Sequence, residues 1–351
     1  MMVLALGGPP VKWKGNPCLA HRARASPVPS RTGAGTTIML DELDDLLGKA
    51  RLWLAQGHGV ALATVMQTWG SAPRRRGSHA VIRDDGLFEG SVSGGCVEGD
   101  VLVAAQALLA AGGGFDRRDY GVADDDAWSF GLACGGSIAI LIQTIDEAHV
   151  PPALLDRIAA ERRAGRPIAV ASDLATGAAA EAARDAGEEE GRFVNLYPPP
   201  LRMMIVGAVH VSQHLVPLAR QLGYRVQLVD PRDSFAAADR FAGIAVDTRW
   251  PDEAMAEWRP DGGTAVVTLT HDPKIDDPAL VAALGSDAFY IAALGSRRTH
   301  AKRIERLSAA GCTAEAIARI DGPAGLPIAA ATPAEIALSI LAGATAALRG
   351  A

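Results

Sequence analysis

The second half of the chain opens with an apolar strand, a glycine turn, a helix and a second strand that ends in an acid. Residues 203–206 are apolar, Gly207 follows them directly, a helical repeat runs through Leu215, and residues 226–229 end at Asp230. Parallel strands need a crossover between them, and here the crossover is a helix. The pattern predicts the βαβ opening of a doubly wound, Rossmann-like parallel sheet.

The same alternation continues to the end of the chain. Further strands are predicted at 244–246, 264–269 and 289–292, and further helices at 278–284, 299–310 and 333–348. The last helix contains Glu335 and its apolar stretch is too short to span a bilayer. No membrane segment is therefore predicted.

The first half also combines helices and strands. Apolar spacing predicts helices at 40–54, 97–112 and 152–164, and strands at 60–65, 80–83, 87–90, 137–145 and 168–171. Pro198, Pro199 and Pro200 cannot continue a central strand. They place the predicted domain boundary between residues 39–197 and 198–351.

Residues 1–38 differ from the rest of the chain. They contain lysines and arginines but no acid, which first occurs at Asp41, and they lack the continuous apolar core of a secretory signal. Three interpretations are open: a transit peptide, a disordered arm, or a start codon chosen too far upstream. We favour a true start near Met39 and leave the segment out of the fold.

Charge and cysteine content limit the classes of function. With 34 basic and 40 acidic residues the formal net charge is -6, which gives no general attraction to nucleic acid or to an anionic membrane. The 4 cysteines form no CxxC pair, which argues against a structural zinc site and against a secreted disulfide framework. We expect a cytoplasmic protein that holds any anionic ligand locally.

The first candidate site is segment 91–98, which reads SVSGGCVE. The adjacent Gly94 and Gly95 let the backbone turn its N–H groups toward a bound anion, and a helix that begins near Val97 adds partial positive charge. Cys96 then lies where a thiolate is favoured, as a soft metal ligand or sulfur acceptor requires. The alternative is a tight turn with a small buried cysteine.

A second cysteine also lies beside paired glycines. Residues 130–136 read FGLACGG, so Cys134 comes immediately before a predicted strand. Two such loops in one domain suggest that both line one cavity. Upstream, Arg74, Arg75 and Arg76 follow a GSAP turn signal, and the planar fork of arginine suits a phosphate, although a solvated loop is the alternative.

In this order the motifs resemble those of the XdhC/CoxI family, accessory proteins for xanthine dehydrogenase, carbon monoxide dehydrogenase and related molybdenum hydroxylases. The resemblance covers nearly the whole chain from Met39 onward. The matching motifs are GSAPR at 70–74, GSVSGGCVE at 90–98, GLACGG at 131–136, GAVH at 207–210, VDPR at 229–232, THD at 270–272, LGSRRT at 294–299 and TPAEIA at 332–337. The resemblance implies an N-terminal α/β XdhC-type domain followed by a Rossmann-like doubly wound parallel-sheet domain.

The resemblance also implies a function, as a cofactor chaperone that is non-catalytic or only weakly catalytic. Such a protein binds the molybdenum cofactor, a molybdopterin with phosphate and in many bacteria a nucleotide. It presents the cofactor for sulfuration by a cysteine-desulfurase-type partner and passes it to an apo-hydroxylase. By analogy Cys96 and Cys134 are the predicted contacts to the metal or its sulfur, and a homodimer is left open. The other first-half residues predicted to contact the cofactor are Gly94, Gly95, Glu98 and Arg74.

Binding of NAD(P) by the second half is the alternative. A dinucleotide fingerprint needs GxGxxG, but Val209 and Ser212 stand where its second and third glycines would be, which hinders the approach of a pyrophosphate. Asp230 suits either a ribose hydroxyl or a turn cap beside Pro231. We therefore favour a chaperone over the alternative, an NAD(P)-dependent oxidoreductase with His271 as acid or base.

The remaining candidate residues lie at predicted strand ends, where α/β sheets place their ligands. They are Gly207, His210, Asp230, His271, Ser296 and Arg297. The two histidines suit a phosphate or a metal, or only local hydrogen bonds. Ser296 and Arg297 suit an anion clamp, or only a helix start with surface arginines. A third hypothesis is a scaffold with buried cysteines that binds partners through surface helices such as 334–348.

Overall fold

The computed structural model describes residues 40–70, 74–121, 136–183, 191–235, 240–241 and 244–350. They form two compact units whose boundary in the sequence lies between Leu201 and Arg202, with the short segment Arg220–Tyr224 grouped with the first unit. The predicted fold class, a mixed α/β chain with a Rossmann-like parallel sheet in its second half, is confirmed.

In the described residues, the first unit combines two antiparallel sheets with three helices. Its larger sheet has the order β3-β2-β1-β5-β4, and its smaller sheet has the order β7-β6-β8. The elements are α1 (Leu40–Ala55), β1 (Val60–Trp69), β2 (His79–Arg83), β3 (Phe88–Gly90), α2 (Glu98–Ala110), β4 (Phe115–Tyr120), β5 (Ser137–Thr144), α3 (Pro152–Arg163), β6 (Ile168–Asp173), β7 (Ala179–Ala182) and β8 (Arg192–Tyr197).

Strand β1 contributes to a core on each of its faces, because successive side chains of a strand point in opposite directions. Val60 and Leu62 pack with side chains of α1, α3 and β6. Ala61, Ala63 and Val65 pack with side chains of α2. Helix α2 therefore covers one face of the larger sheet, and its burial there sets where the glycine-rich loop before it lies.

The second unit is a six-stranded sheet with the order β11-β10-β9-β12-β13-β14. Its elements are β9 (Leu201–Val206), α4 (His210–Gln221), β10 (Tyr224–Val229), a short 3-10 turn (Asp233–Phe235), β11 (Val246–Asp247), α5 (Pro251–Trp258), β12 (Thr264–Thr268), α6 (Pro273–Leu284), β13 (Tyr290–Ala293), α7 (Arg297–Ala309), α8 (Ala314–Ile317), β14 (Ile320–Asp321) and α9 (Pro333–Arg349). This is the strand order of the Rossmann fold.

Parallel pairing joins β9 to β12, β12 to β13 and β13 to β14. All five residues of β12 are buried, as expected of a strand covered on both faces. The order of the strands reverses between β9 and β12. The loops that leave the carboxyl ends of these strands are where ligands bind in open α/β sheets.

Candidate functional site

The loop between β3 and α2 holds Cys96 at the surface. Val92 and Val97 are buried in the core beneath α2, whereas Gly94, Gly95 and Cys96 between them are exposed. The two glycines have φ angles of +79° and +113°, which residues other than glycine rarely adopt. The buried valines thus fix both ends of the loop, and the glycines allow the turn that presents the thiol.

The N–H groups of this loop converge on the carboxylate of Glu98, the first residue of α2. The donors to Oε1 are Ser91 Oγ at 2.7 Å, Val92 N at 3.2 Å, Ser93 N at 2.9 Å and Gly94 N at 3.1 Å. Oε2 accepts from Gly95 N at 2.8 Å and from the Ser93 hydroxyl. Successive N–H groups around one anion form a backbone nest. We expected Gly94 and Gly95 to face a bound anion, and in the structure the chain's own Glu98 is that anion.

These bonds also determine the ionisation of Glu98. Partial burial opposes its charge, but hydrogen bonds from the side chains of Ser93 and Ser91 and from the backbone outweigh burial and lower the pKa of Glu98 to about 2. The carboxylate is therefore charged over the range in which proteins work. Its charge also lies at the positive end of α2, where helix geometry favours an anion.

Two serine hydroxyls extend the network to Cys96. Ser93 Oγ accepts from the backbone N of Cys96 at 3.0 Å and of Val97 at 3.0 Å. Ser91 Oγ accepts from Gly94 N at 2.9 Å. The backbone of Cys96 is thus connected through one hydroxyl to the carboxylate of Glu98.

Cys134 lies outside the described residues, but the residues that flank it are described. Tyr120 at the end of β4 pairs with Ile138 of β5, and Trp69 at the end of β1 pairs with Ser137. The Tyr120 hydroxyl donates to Asp100 in the first turn of α2 at 2.6 Å. The described chain on either side of the second cysteine segment therefore lies at the end of the sheet where α2 begins.

The three consecutive arginines have different surroundings. Arg75 is exposed and Arg74 is partly exposed. Arg76 donates to the carbonyl of Val194 at 2.8 Å, and its guanidinium lies 5.1 Å from the centre of the Phe193 ring. Arg76 thus fastens this loop to β8. Arg74 stays a predicted cofactor contact.

In the second unit, the chain's own side chains hold the glycine turn after β9. The N–H of Ala208 donates to Asp230 at 2.8 Å, and the N–H of Val209 donates to the Ser212 hydroxyl at 3.2 Å. The Ser212 hydroxyl in turn donates to the carbonyl of Gly207. In a dinucleotide-binding fold these N–H groups face the pyrophosphate.

Asp230 is fully buried at the end of β10 and its carboxylate has several donors. Arg232 donates from Nε at 2.8 Å, from its second guanidinium nitrogen at 2.7 Å and from its backbone N at 3.1 Å. Burial opposes ionisation, but the bonds from Arg232 and Ala208 outweigh it and lower the pKa of Asp230 below its ordinary value. This is the turn-capping arrangement beside Pro231, and it leaves little room for a ribose hydroxyl.

The loop after β12 is held in a similar way. His271 is exposed and has a φ of +60°, a left-handed conformation that is uncommon for histidine. The buried Asp276 of α6 accepts from the backbone N of His271 at 3.1 Å and from the hydroxyl of Thr270 at 2.7 Å. Burial raises the pKa of Asp276. His210, at the start of α4, is also exposed.

The loop after β13 lacks such a carboxylate. The Ser296 side chain caps α7 by accepting from Thr299 N, and the first turn of α7 contains no acid. Arg297 and Arg298 are exposed there. Arg303 is buried behind the loop and donates to the carbonyl of Leu294 at 2.8 Å. Of the described loops predicted to bind an anion, this one places cations at a helix start without a carboxylate of its own.

Sequence reasoning missed the side chains that hold these loops, namely Ser91, Ser93, Ser212 and Asp276. A signal for the first loop was present in the sequence. Two serines precede a glutamate at a helix start, and serine and glutamate are residues that hydrogen-bond the free N–H groups of a helix N-terminus. For Asp276 no local pattern exists, because its partners belong to the preceding strand end.

An exposed cysteine in a glycine loop, followed by a Rossmann-like sheet whose glycine turn is held by the chain's own side chains, defines a class of two-unit α/β protein. The chain belongs to the XdhC and CoxI family. The model described as the XdhC and CoxI family matches residues 53–121, and the model described as the XdhC Rossmann domain matches residues 203–343. The resemblance stated from the motifs is thereby confirmed.

Two relatives and one solved structure support this assignment. The chain is 32% identical over 293 residues to the molybdenum cofactor insertion chaperone PaoD of Escherichia coli, covering 82% of this chain and 83% of the relative. It is 26% identical over 309 residues to a probable xanthine dehydrogenase subunit of Bacillus subtilis, covering 80% and 91% of the two chains. A crystal structure described as a xanthine dehydrogenase from Bacillus halodurans superposes with a TM-score of 0.73 at 24% identity, covering 90% and 96%, which shows a shared fold.

The described part of the chain contains neither a metal-binding cluster nor a membrane-spanning helix. No group of three or more His, Cys, Asp or Glu side chains among these residues has a metal-binding arrangement. No helix in the described ranges is both long enough and apolar enough to cross a membrane.

Proposed function

We propose that this protein binds the molybdenum cofactor as cargo and delivers it to an apo-hydroxylase of the xanthine dehydrogenase or carbon monoxide dehydrogenase type. The observation that carries the proposal is the exposed Cys96, held in a loop whose backbone is fastened by Glu98 and Ser93. A soft thiol at a fixed place on the surface suits contact with molybdenum or with its terminal sulfur. Cys134 is the second proposed contact.

The names of the relatives support the same cargo. PaoD is named a molybdenum cofactor insertion chaperone, and it matches over most of both chains. The relative named as part of a xanthine dehydrogenase supports a client of the molybdenum hydroxylase type. Sulfuration of the cofactor by a cysteine-desulfurase-type partner, a homodimer and a cytoplasmic location remain predictions.

A second contact is proposed for the phosphate of the cofactor, at the start of α7. Ser296, Arg297 and Arg298 provide a helix N-terminus and two exposed guanidinium groups without a nearby acid in the first turn. Phosphate is favoured at such a position. The turn at Gly207 is less suited, because its N–H groups already have partners. His210 and His271 remain predicted contacts.

The cysteine contact can be tested by cofactor uptake. Full-length protein co-expressed with cofactor biosynthesis should retain molybdenum and pterin after purification, and Cys96→Ala should lower retention by about tenfold or more, as loss of a metal contact does. Cys312→Ala is the matched control, because Cys312 is buried in the second unit. Equal retention and equal activation of an apo-hydroxylase by wild type and by a Cys96→Ala, Cys134→Ala double variant would contradict the role of the thiols.

The phosphate contact needs a separate experiment. Replacing Arg297 and Arg298 with glutamine should weaken cofactor binding and reduce its dependence on salt, because fewer charged contacts are lost at high ionic strength. Lys302→Gln on the same helix is the control, since it removes one exposed charge beyond the first turn. Unchanged affinity in the double arginine variant would place the phosphate elsewhere.

A further inference from the structure

The loop that carries Cys96 is built around an anion that the protein supplies itself. Four consecutive backbone N–H groups, from Val92 to Gly95, donate to the carboxylate of Glu98 at distances of 2.8 to 3.2 Å. The hydroxyls of Ser91 and Ser93 donate to the same group. Both carboxylate oxygens are therefore occupied by donors, and this loop has no N–H group in that run left to bind a ligand.

We infer that Glu98 is a positioning residue, which holds the Cys96 loop in the conformation that exposes the thiol, and that it is not itself a contact to the cargo. Glu98 reaches Cys96 in two steps. Its Oε2 accepts from the Ser93 hydroxyl, and Ser93 Oγ accepts from the backbone N of Cys96 at 3.0 Å. The role in cofactor delivery rests on the proposed function, whereas the role in shaping the loop does not.

The alternative is that Glu98 leaves the nest when a phosphate or a metal-bound oxygen arrives. The geometry argues against this exchange. Glu98 is the first residue of α2 and Val97 beside it is buried at 1% exposure, so the carboxylate is held close to the loop, and leaving the nest would break six hydrogen-bonding contacts. A tethered anion also pays no entropy of association, unlike a free one.

The positioning role can be tested by removing the Glu98 carboxylate and then adding a free carboxylate in its place. In full-length Glu98→Ala, the amide hydrogens of residues 92–95 should exchange about tenfold faster or more, because bonds to a charged acceptor are lost. Formate is the probe, since it has the carboxylate of Glu98 without the tether. Rising formate should restore slow exchange in a saturable manner, and it should have no such effect on wild type.

Two further variants make the result specific. Glu98→Gln keeps an acceptor of similar shape without the charge and should show faster exchange of the same amides, with little response to formate because the side chain still fills the nest. Glu89→Ala removes a nearby exposed acid of β3 that lies 3.6 Å from Lys49, and it should leave the loop amides unchanged. If Glu98→Ala disturbed the fold in general, a small carboxylate would not restore slow exchange of the loop amides.

The readouts separate the inference from the proposed function. Unchanged amide exchange in both Glu98→Ala and Glu98→Gln, or formate binding that does not restore protection, would overturn the positioning role. The rate of Cys96 alkylation should change in Glu98→Ala and return toward wild type with formate, whereas an unchanged rate would overturn the claim that Glu98 sets the exposure of the thiol. Failure of the proposed cysteine contact would instead appear as Cys96→Ala protein that retains molybdopterin as fully as wild type, while the exchange data stand.

Discussion

At the scale of single residues, His79 is a titratable group of the first unit whose pKa changes strongly on folding. It is buried and stacks on Tyr197 with 5.5 Å between ring centres, and its Nδ1 lies 3.0 Å from the Thr64 hydroxyl. Burial, the largest effect, lowers the pKa of His79 to about 4. Asn195 Nδ2 lies 3.4 Å from Nε2, the other ring nitrogen of His79. The imidazole is therefore neutral when folded.

The free energy of unfolding should consequently depend on pH through His79. The unfolded chain takes up this proton near its ordinary pKa of about 6.5, so the stabilisation is complete above that pH and is lost as pH falls toward about 4. Between about pH 7 and pH 5 the loss from this group is about 2 kcal/mol. Urea unfolding at both pH values should show a smaller difference in His79→Gln. His210→Gln, at an exposed histidine, is the control, and an equal pH dependence in both variants would contradict the assignment.

Gly90 and Gly57 form a matched pair for testing close backbone approach. Their φ angles are +83° and +86°, so alanine is strained at both by about 1–2 kcal/mol. A Cβ at Gly90 would also lie 2.5 Å from the carbonyl oxygen of His79, whereas a Cβ at Gly57 meets nothing within 4 Å. Gly90→Ala should thus lower the free energy of unfolding by about 1–3 kcal/mol more than Gly57→Ala. Equal losses of unfolding free energy in the two variants, measured by thermal or urea unfolding, would show that the backbone of β2 moves at little cost to make room for the Cβ.

At the scale of elements, the strand–loop–helix unit from β9 to α4 has the form of a dinucleotide site but a different set of hydrogen bonds. Asp230 and Ser212 hold the N–H groups of Ala208 and Val209. Arg232 covers both oxygens of Asp230. The contacts that a pyrophosphate and a ribose need are therefore made within the protein.

We accordingly expect no saturable binding of NADH or NADPH with a Kd below about 1 mM. A titration that follows nicotinamide fluorescence on the full-length protein measures this directly. A dehydrogenase with a complete glycine fingerprint is a suitable positive control under the same conditions. Saturable binding at micromolar nucleotide, with turnover lost in His271→Ala, would revive the oxidoreductase alternative.

Some elements were not predicted from the sequence, and their compositions explain why. Strand β4 reads FDRRDY and lies at the edge of its sheet, where charged side chains are common and the apolar signal is weak. Helix α6 begins at Pro273 rather than at the predicted residue 278, because Asp272 caps it and proline is favoured at a first helical position. The short elements α5, α8, β7 and β14 and the strand β8 were also missed.

At the scale of the whole molecule, the four hydrophobic clusters known among the described residues each draw on one unit. The clusters around β1 draw on residues between Leu43 and Tyr197. The cluster around β12 draws on residues between Met204 and Ile320. Hydrophobic stabilisation grows with the apolar area that is buried. In these clusters, that area is buried between residues of the same unit.

Fragments 39–201 and 202–351 are therefore each expected to unfold cooperatively when expressed alone. Thermal unfolding followed by circular dichroism should give a sigmoidal transition for each, as single domains do. The comparison is the intact chain measured at the same concentration. A fragment that has helical signal but no cooperative transition would show that its core is incomplete without the rest of the protein.

The fold class and the family were determined by the sequence alone. The apolar run before Gly207, the run that ends at Asp230 and the alternation that follows are local patterns, and the different side-chain periods of helices and strands make such patterns readable along the chain. The Cys96 motif is likewise local, because two glycines and a following helix already predict a turn, whereas the exposure of the cysteine was left open. These properties depend only on neighbours along the chain.

The tertiary structure alone decided which groups satisfy one another. Sequence could place Glu98 near a helix start and Asp230 at a strand end, where a turn cap was one of two interpretations, but it could not say that Glu98 and Asp276 bind the chain's own N–H groups. A buried or half-buried donor is satisfied by whichever acceptor lies within about 3 Å. That distance depends on how elements pack, and so the loops after β3, β9 and β12 already hold a carboxylate of the chain.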